Sequence, residues 1–306
     1  MKKHSHSIFK LKSDTWLALS QPAAVEIYAP EGTGYFKAKK ENNRRITALE
    51  DVSKLIVLSK INSGNFDRES LYDDYGLLAQ ELKSCRYNSE CKNGACAQYI
   101  DTYHCQMMAQ YISLLLPGKP KDYQVITLCF SQEVYSDRWL QDSKYKVSAC
   151  IGEREQLLRN VLIHNKLPMP FGGVWSMEYH TFKQPLDNYW QLKLRVISSK
   201  DKLILPKLRE YMRRTKNDVI RECFSCQAVE KKTFSDFMSL VTYALDPTWR
   251  EVPCSINEDL KIIKGIPRQL SVHSLPNALL AQEYLGPNVI TFSGDISGLL
   301  TSRGQA

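Results

Sequence analysis

Apolar and polar positions alternate with period two over residues 172–199. In the first half of this stretch one face carries Val174, Ser176, Glu178 and His180. In the second half one face carries Trp190, Leu192, Leu194 and Val196, and the other carries Gln191, Lys193 and Arg195. The pattern predicts a half-buried antiparallel hairpin, one face building a core and the other presenting polar groups. Over residues 123–131, Val125, Thr127 and Cys129 alternate with Ile126, Leu128 and Phe130. Both sets suit burial, as in a central strand covered by a helix.

Helical spacing recurs elsewhere. Residues 70–82 place Leu71, Tyr75, Leu78 and Leu82 on one side, and 101–116 place Tyr103, Met107, Tyr111, Leu114 and Leu115 inward. Leu157, Leu158, Val161 and Leu162 mark a helix at 153–165. Leu208, Met212 and Val219 mark one at 205–223, and Phe237, Leu240, Val241 and Ala244 mark one at 234–245. Residues 24–39 read as a hairpin turned at PEGTG, with Val25, Ile27 and Tyr35 as its apolar positions. Lys37, Lys39, Lys40, Arg44 and Arg45 follow as a basic cluster, either a solvated loop or a phosphate contact. The order strand, helix, strand, strand, helix from 123 onward is that of a split βαβ unit. The expected fold class is α+β, with an antiparallel sheet of roughly four or five strands backed by the helices at 153–165 and 205–222. Residues 1–84 form an N-terminal accessory region, 85–118 a cysteine-rich segment and helix, and 119–306 the sheet domain.

The chain has 306 residues, 43% of them hydrophobic, so it is expected to bury a core. The net charge of +8 is compatible with nucleic-acid binding. No apolar run approaches the roughly 18 residues of a membrane span, and the basic N-terminus has no apolar segment of a secretory signal. Both point to the cytoplasm. Nine cysteines, an odd number, favour thiols or metal over a disulfide framework. Cys85, Cys91, Cys96 and Cys105 are spaced C-x5-C-x4-C-x8-C, with His104 beside the last and Gly94 between the middle pair. Two readings stand: a structural zinc held by Cys85, Cys91, Cys96 and either His104 or Cys105, or partly buried thiols. Cys223 and Cys226 form a C-x2-C pair able to supply half a zinc site, together with Cys254 or the earlier cluster.

From Cys85 onward, about two thirds of the chain resembles the rolling-circle replication initiators of plasmids and filamentous phages, in the HUH endonuclease superfamily. The resemblance rests on order: a strand with Thr127-Leu128, the helix at 153–165, the Gly-x-Trp-x-x-Glu strand GVWSME, then the strand YWQLKLRVI. It continues in the helix bearing Tyr243, in VTYALDP, and in a C-terminal helix, strand and Gly turn. The resemblance implies a nuclease fold in which a Mg or Mn ion polarises the scissile phosphate and Tyr243 attacks it, with Glu178 beside them. The family carries a His-apolar-His pair on its last core strand. Here those positions hold Gln191, Lys193 and Arg195, and the six histidines lie at 4, 6, 104, 164, 180 and 273. Cations there would repel a divalent metal and attract phosphate. Two alternatives are open for Glu178: a rebuilt metal site with His180 and His164 or Gln191, or an ion pair with Lys193 or Arg195. Asp246 stands where the family often has lysine.

The function expected is that of a DNA-binding protein of initiator type with a lost or altered nicking site. It would hold single-stranded DNA or an origin duplex through Gln191, Lys193 and Arg195 and through Lys207, Arg209, Arg213 and Arg214 of the basic helix. The alternatives are an active metal-dependent single-strand nickase using Tyr243, and a protein-interaction accessory factor.

Overall fold

Three long strands set the frame of the protein. The structure, a computed structural model, describes residues 33–62, 73–85, 93–135, 144–182, 187–214, 229–257 and 262–293. In chain order its elements are α1 (Thr33–Asn62), α2 (Asp74–Ser84), α3 (Ala97–Leu115), β1 (Tyr123–Tyr135), α4 (Lys144–His164), β2 (Gly172–Phe182) and β3 (Tyr189–Ser199). They continue with α5 (Ile204–Arg214), β4 (Val229–Lys232), α6 (Phe237–Ala244), β5 (Arg250–Ile256), β6 (Ile262–Lys264), β7 (Arg268–Gln269), α7 (Leu275–Ile290) and β8 (Thr291–Ser293).

The eight strands form one sheet in the order β4-β1-β3-β2-β5-β6, with β7 also on β5 and β8 also on β2. β3 runs antiparallel to both β1 and β2. β1 and β2 are therefore parallel, joined through α4 and separated by β3, which is the split βαβ arrangement. The sheet is larger than expected and is not wholly antiparallel, because β5 pairs with β2 in parallel. β4, β5 and β7 are short and rich in charge or proline, and β6 has three residues, which hid them as strands; charged residues suit the edge positions of β4 and β7.

One face of the sheet is apolar. Ile126, Leu128, Trp175, Met177, Trp190, Leu192, Leu194 and Val196 belong to a single cluster with Leu49, Leu78, Leu82, Leu158, Leu162, Leu208 and Leu279. Residues of α1 and α2 thus share the core of the sheet. Burying each such side chain contributes about 1.5–3 kcal/mol. On the opposite face a smaller cluster packs Tyr111, Ile112 and Leu115 of α3 and Phe237, Leu240 and Val241 of α6 over Val125, Val174 and Ile197.

The helices start where the chemistry places caps. Asp73 accepts from the Gly76 amide at 2.7 Å to open α2, and Asp236 accepts from the Ser239 amide at 2.7 Å to open α6. Helices expected at 70–82, 101–116, 153–165, 205–223 and 234–245 are present with shifted ends, as far as they lie in the described residues. No helix among those residues is long and apolar enough to cross a membrane.

The hairpin expected at 24–39 is corrected over the part that is described. α1 begins at Thr33, and 24–32 lie outside the described residues. Buried Ala38, Asn42, Ile46 and Leu49 recur at helical spacing, which the PEGTG turn signal masked. The basic cluster is therefore helical. Arg44 pairs with Glu41 and donates to the Leu270 carbonyl at 3.0 Å, and Arg45 donates to the Ala95 carbonyl at 2.7 Å. Lys37, Lys39 and Lys40 are exposed.

The second correction concerns the central hairpin, which is not half-buried. Gln191, Lys193 and Arg195 are all buried, as is His180. β3 lies between β1 and β2, and β2 lies between β3 and β5, with α3 and α6 packed over part of the polar face.

Candidate functional site

The polar face of β3 is organised by two cations. Arg195 lies beneath the C-terminal end of α6, and its Nη1 donates to the carbonyls of Tyr243 at 3.3 Å and Asp246 at 3.2 Å. A cation at this position matches the negative end of the helix dipole and satisfies carbonyls left without intrahelical partners. Asp246 adds its carboxylate, 3.8 Å from Arg195 Nη1 and 2.9 Å from Arg250 Nη2. Burial would raise the Asp246 carboxyl; Thr248, Arg195 and Arg250 outweigh it and hold it below the usual range.

Tyr243 is half-buried on the flank of α6. The Arg195 guanidinium carbon is 5.2 Å from its ring centroid, and Lys232 Nζ, on β4, is 4.3 Å away. Phe234 packs beside it with ring centroids 5.4 Å apart. The tyrosine expected as nucleophile is thus a ring held between two cations, above the strand expected to carry the metal ligands.

Two residues further along β3, Lys193 Nζ lies 2.5 Å from Glu178 Oε2. Glu178 is directly opposite Gln191, so the ion pair is the diagonal cross-strand contact. Burial would raise the Glu178 carboxyl; His180, Lys193 and Lys264 outweigh it and hold it far below its ordinary value. Burial would lower the Lys193 ammonium; Cys129 and Glu178 outweigh it and raise it. These residues do not fit a Mg or Mn ion, because a fixed ammonium already occupies the carboxylate that would be a ligand. The rebuilt site with His180 would call on that same carboxylate. His180 Nε2 lies 3.5 Å from the same Glu178 oxygen, and its Nδ1 faces Cys254 at 3.5 Å.

The cysteine segment is spread through the helical layer. Cys85 is the C-cap of α2, Cys96 is the buried N-cap of α3, and His104 and Cys105 lie within α3. Cys91 is outside the described residues. Burial, with Asp101 nearby, pushes the Cys105 thiol up to about 11. His104 is held below its ordinary value by burial, against the opposing charges of Asp246 and Asp101, and its buried Nε2 has no hydrogen-bond partner among the described residues. Among those residues no three His, Cys, Asp or Glu side chains gather as a metal-holding group. Cys223, Cys226 and residues 215–222 of the basic helix also lie outside them.

On α5, Arg209 and Arg213 are exposed, while Lys207 pairs with Glu210 at 3.3 Å; the Arg214 side chain is outside the described residues. Ile204, Leu208 and Met212 pack α5 against the apolar side of the sheet, next to β4. β4 adds two exposed lysines. Lys232 pairs with Val125 and so shares the α6 face, and Lys231 pairs with Ile126 and shares the α5 face. Arg209, Arg213, Lys231 and Lys232 therefore make a cationic edge that turns around the sheet and ends at Tyr243. Sequence reasoning missed Lys231 and Lys232; the signal was VEKK, a charge-rich segment of edge-strand type.

No protein-family model matches the chain, and comparison with curated proteins and with solved structures finds no match.

Proposed function

We propose that the chain is a DNA-binding protein on an initiator-like sheet that has lost its nicking centre, and that it takes single-stranded DNA or an origin duplex along the β4 edge. The observation that carries this is the position of Tyr243, between Lys232 and Arg195 at the inner end of the exposed cations Arg209, Arg213, Lys231 and Lys232. Phosphates would follow the exposed cations, which position the strand without reading sequence. Phe234, half-buried beside Tyr243, offers a ring on which an unpaired base stacks. Lys193 and Arg195 serve the site from within: one neutralises Glu178, and the other fixes α6 under Tyr243. The order of the split βαβ unit and the placing of the tyrosine helix over the polar face of β3 support initiator ancestry. The ammonium on Glu178 supports loss of metal-dependent cleavage.

The test is a salt titration of binding to single- and double-stranded DNA by the wild type, Lys231→Ala/Lys232→Ala and Arg209→Ala/Arg213→Ala. Each double variant should flatten the slope of log K against log salt by about 0.7–0.9 for every phosphate it no longer neutralises. Unchanged slopes would remove this edge from the interface. Absence of salt-dependent binding in the wild type would favour a protein-interaction role.

A second reading, the active nickase, is favoured by one feature: Arg195 and Lys232 would stabilise a phosphate at the Tyr243 hydroxyl as they flank its ring. Metal-dependent nicking of labelled single strands, abolished by Tyr243→Phe, would establish that reading over the first.

A further inference from the structure

Cys254 stands on β5 where the polar face of the sheet nears its β6 edge. Its Sγ is 3.5 Å from His180 Nδ1 and 3.4 Å from the Val252 carbonyl. The other ring nitrogen of His180 is 3.5 Å from Glu178 Oε2. Tyr189 stacks on the imidazole with centroids 4.7 Å apart and 10° between the planes. Thiol and carboxylate therefore stand at opposite edges of a ring that is clamped by its face. Such an arrangement suits a base oriented by a third group. His180 Nε2 makes no hydrogen bond among the described residues; with its proton on Nε2, toward the Glu178 charge, Nδ1 is left as the acceptor for the thiol proton. Across the ladder Cys254 is directly opposite Lys264, whose charge also reaches Glu178 and His180. Cations beside a thiol favour its thiolate.

We propose that Cys254 is a modification site, a thiol that His180 deprotonates and that exchanges with small disulfides to form a mixed disulfide. In the step, the Sγ proton passes to His180 Nδ1 and the thiolate attacks one sulfur of the small disulfide. The S–S bond of the reagent breaks, a new S–S bond to Cys254 forms, and the departing sulfur leaves as thiolate and takes the proton from His180. Cys254 is oxidised and the reagent is reduced, with no further reactant. The groups facing His180 are Cys254 from β5, Glu178 from β2, Lys193 and the Tyr189 ring from β3, and Lys264 from β6. Burial holds His180 below its ordinary pKa, helped by Lys264 and Lys193 against Glu178, which keeps the ring in the neutral form that has one accepting nitrogen.

Access is through the edge. Cys254 is 7% exposed, and it is covered on that side by β6, a strand of three residues paired only from Cys254 to Ile256. Short edge strands open locally at low cost. The inference is independent of the nucleic-acid reading, which uses neither Cys254 nor His180.

The test treats the full chain with oxidised glutathione, and in parallel with iodoacetamide, and follows each cysteine by peptide mass mapping. Cys254 should react before Cys150, although Cys150 is the more exposed of the two. At pH 7 its rate should fall roughly tenfold in His180→Asn, and its rate–pH profile should move toward that of an ordinary thiol. Lys264→Gln, on the half-exposed edge, should slow it severalfold and does not depend on refilling the core. If His180→Asn fails to fold by circular dichroism, Lys264→Gln decides. Reaction of Cys254 no faster than Cys150, or at an unchanged rate in the folded variants, would overturn the proposal.

Discussion

Lys193 and Glu178 form a buried ion pair, Nζ to Oε2 at 2.5 Å, across the β2–β3 ladder. The ammonium compensates the buried carboxylate. Two charges removed from water are tolerated only while paired.

Breaking this pair from one side should therefore cost more than replacing both partners. Lys193→Met or Glu178→Gln alone is expected to lose about 3–5 kcal/mol, and the double variant less than the sum. Urea melts measure this. The pH dependence has a defined sign on both sides. Glu178 is depressed in the folded state, so its contribution is present above the ordinary carboxylate value and is lost as pH falls through the folded one. Lys193 is raised, so its contribution is present below the ordinary ammonium value and is lost as pH rises through the folded one. The stability difference between wild type and double variant should be flat from about pH 5 to pH 10 and shrink outside that window. A difference that changes sharply near pH 7 would assign the pair's energy to another group.

Arg195 gives a second expectation. Its Nη1 donates to two carbonyls at the end of α6 while the guanidinium carbon lies 5.2 Å from the Tyr243 ring centroid, and a lysine ammonium has no planar face to lay on that ring. Arg195→Lys should cost about 1–3 kcal/mol and speed amide exchange in α6 while leaving α4 protected. If α6 exchange is unaltered, the helix is held by its apolar side alone, through Phe237, Leu240 and Val241.

Much of this arrangement is legible in the sequence, for physical reasons. The period-two run around Trp175 and Trp190 fixes which side chains build the core, and the order of strand, helix and two strands fixes the split unit. Tyr243 is legible because capped, apolar α6 leaves it on the flank. The burial of Lys193 and Arg195 was not legible. A polar strand face signals water when read alone, and the groups that compensate it, Glu178 and the carbonyls of Tyr243 and Asp246, come from other segments. α1 was hidden for a similar reason: its spacing at Ala38, Asn42, Ile46 and Leu49 includes a buried asparagine, whose amide donates to Leu82 and whose oxygen accepts from Ala97. The contact of Cys254 with His180 depends on the parallel β2–β5 pairing, which brings together residues more than seventy positions apart.

Metal content is a direct check on the cysteine segment. Were Cys85, Cys91, Cys96 and His104 or Cys105 to hold zinc, purified protein should carry about one zinc per chain, and Cys91→Ser should lower stability together with zinc content. Protein without zinc and with unchanged melting in Cys91→Ser would leave these residues as thiols.

The glycines give a paired prediction with opposite signs. Gly173 lies on β2 between β3 and β8, paired with Val196 on one side and Phe292 on the other. A Cβ at this position would overlap the Arg195 carbonyl oxygen and crowd the Val196 Cα, both backbone atoms of a central strand. They cannot rotate aside, so Gly173→Ala must spread or bulge the β2–β3 ladder beneath Arg195 and Lys193, at a cost of about 1–3 kcal/mol for an overpacked interior. Gly152 is exposed on α4, and a Cβ there meets nothing within 4 Å. Gly152→Ala should instead stabilise by about 0.5–1 kcal/mol, through the lower backbone entropy of alanine in the unfolded chain and its better helix propensity. Thermal melts of the two variants against wild type read both at once, with Gly173→Ala shifted down and Gly152→Ala shifted up. A Gly173→Ala protein as stable as wild type would mean that β2 and β3 lie farther apart at this point, and would loosen the link between the Gly-x-Trp-x-x-Glu strand and the placing of Arg195 under α6.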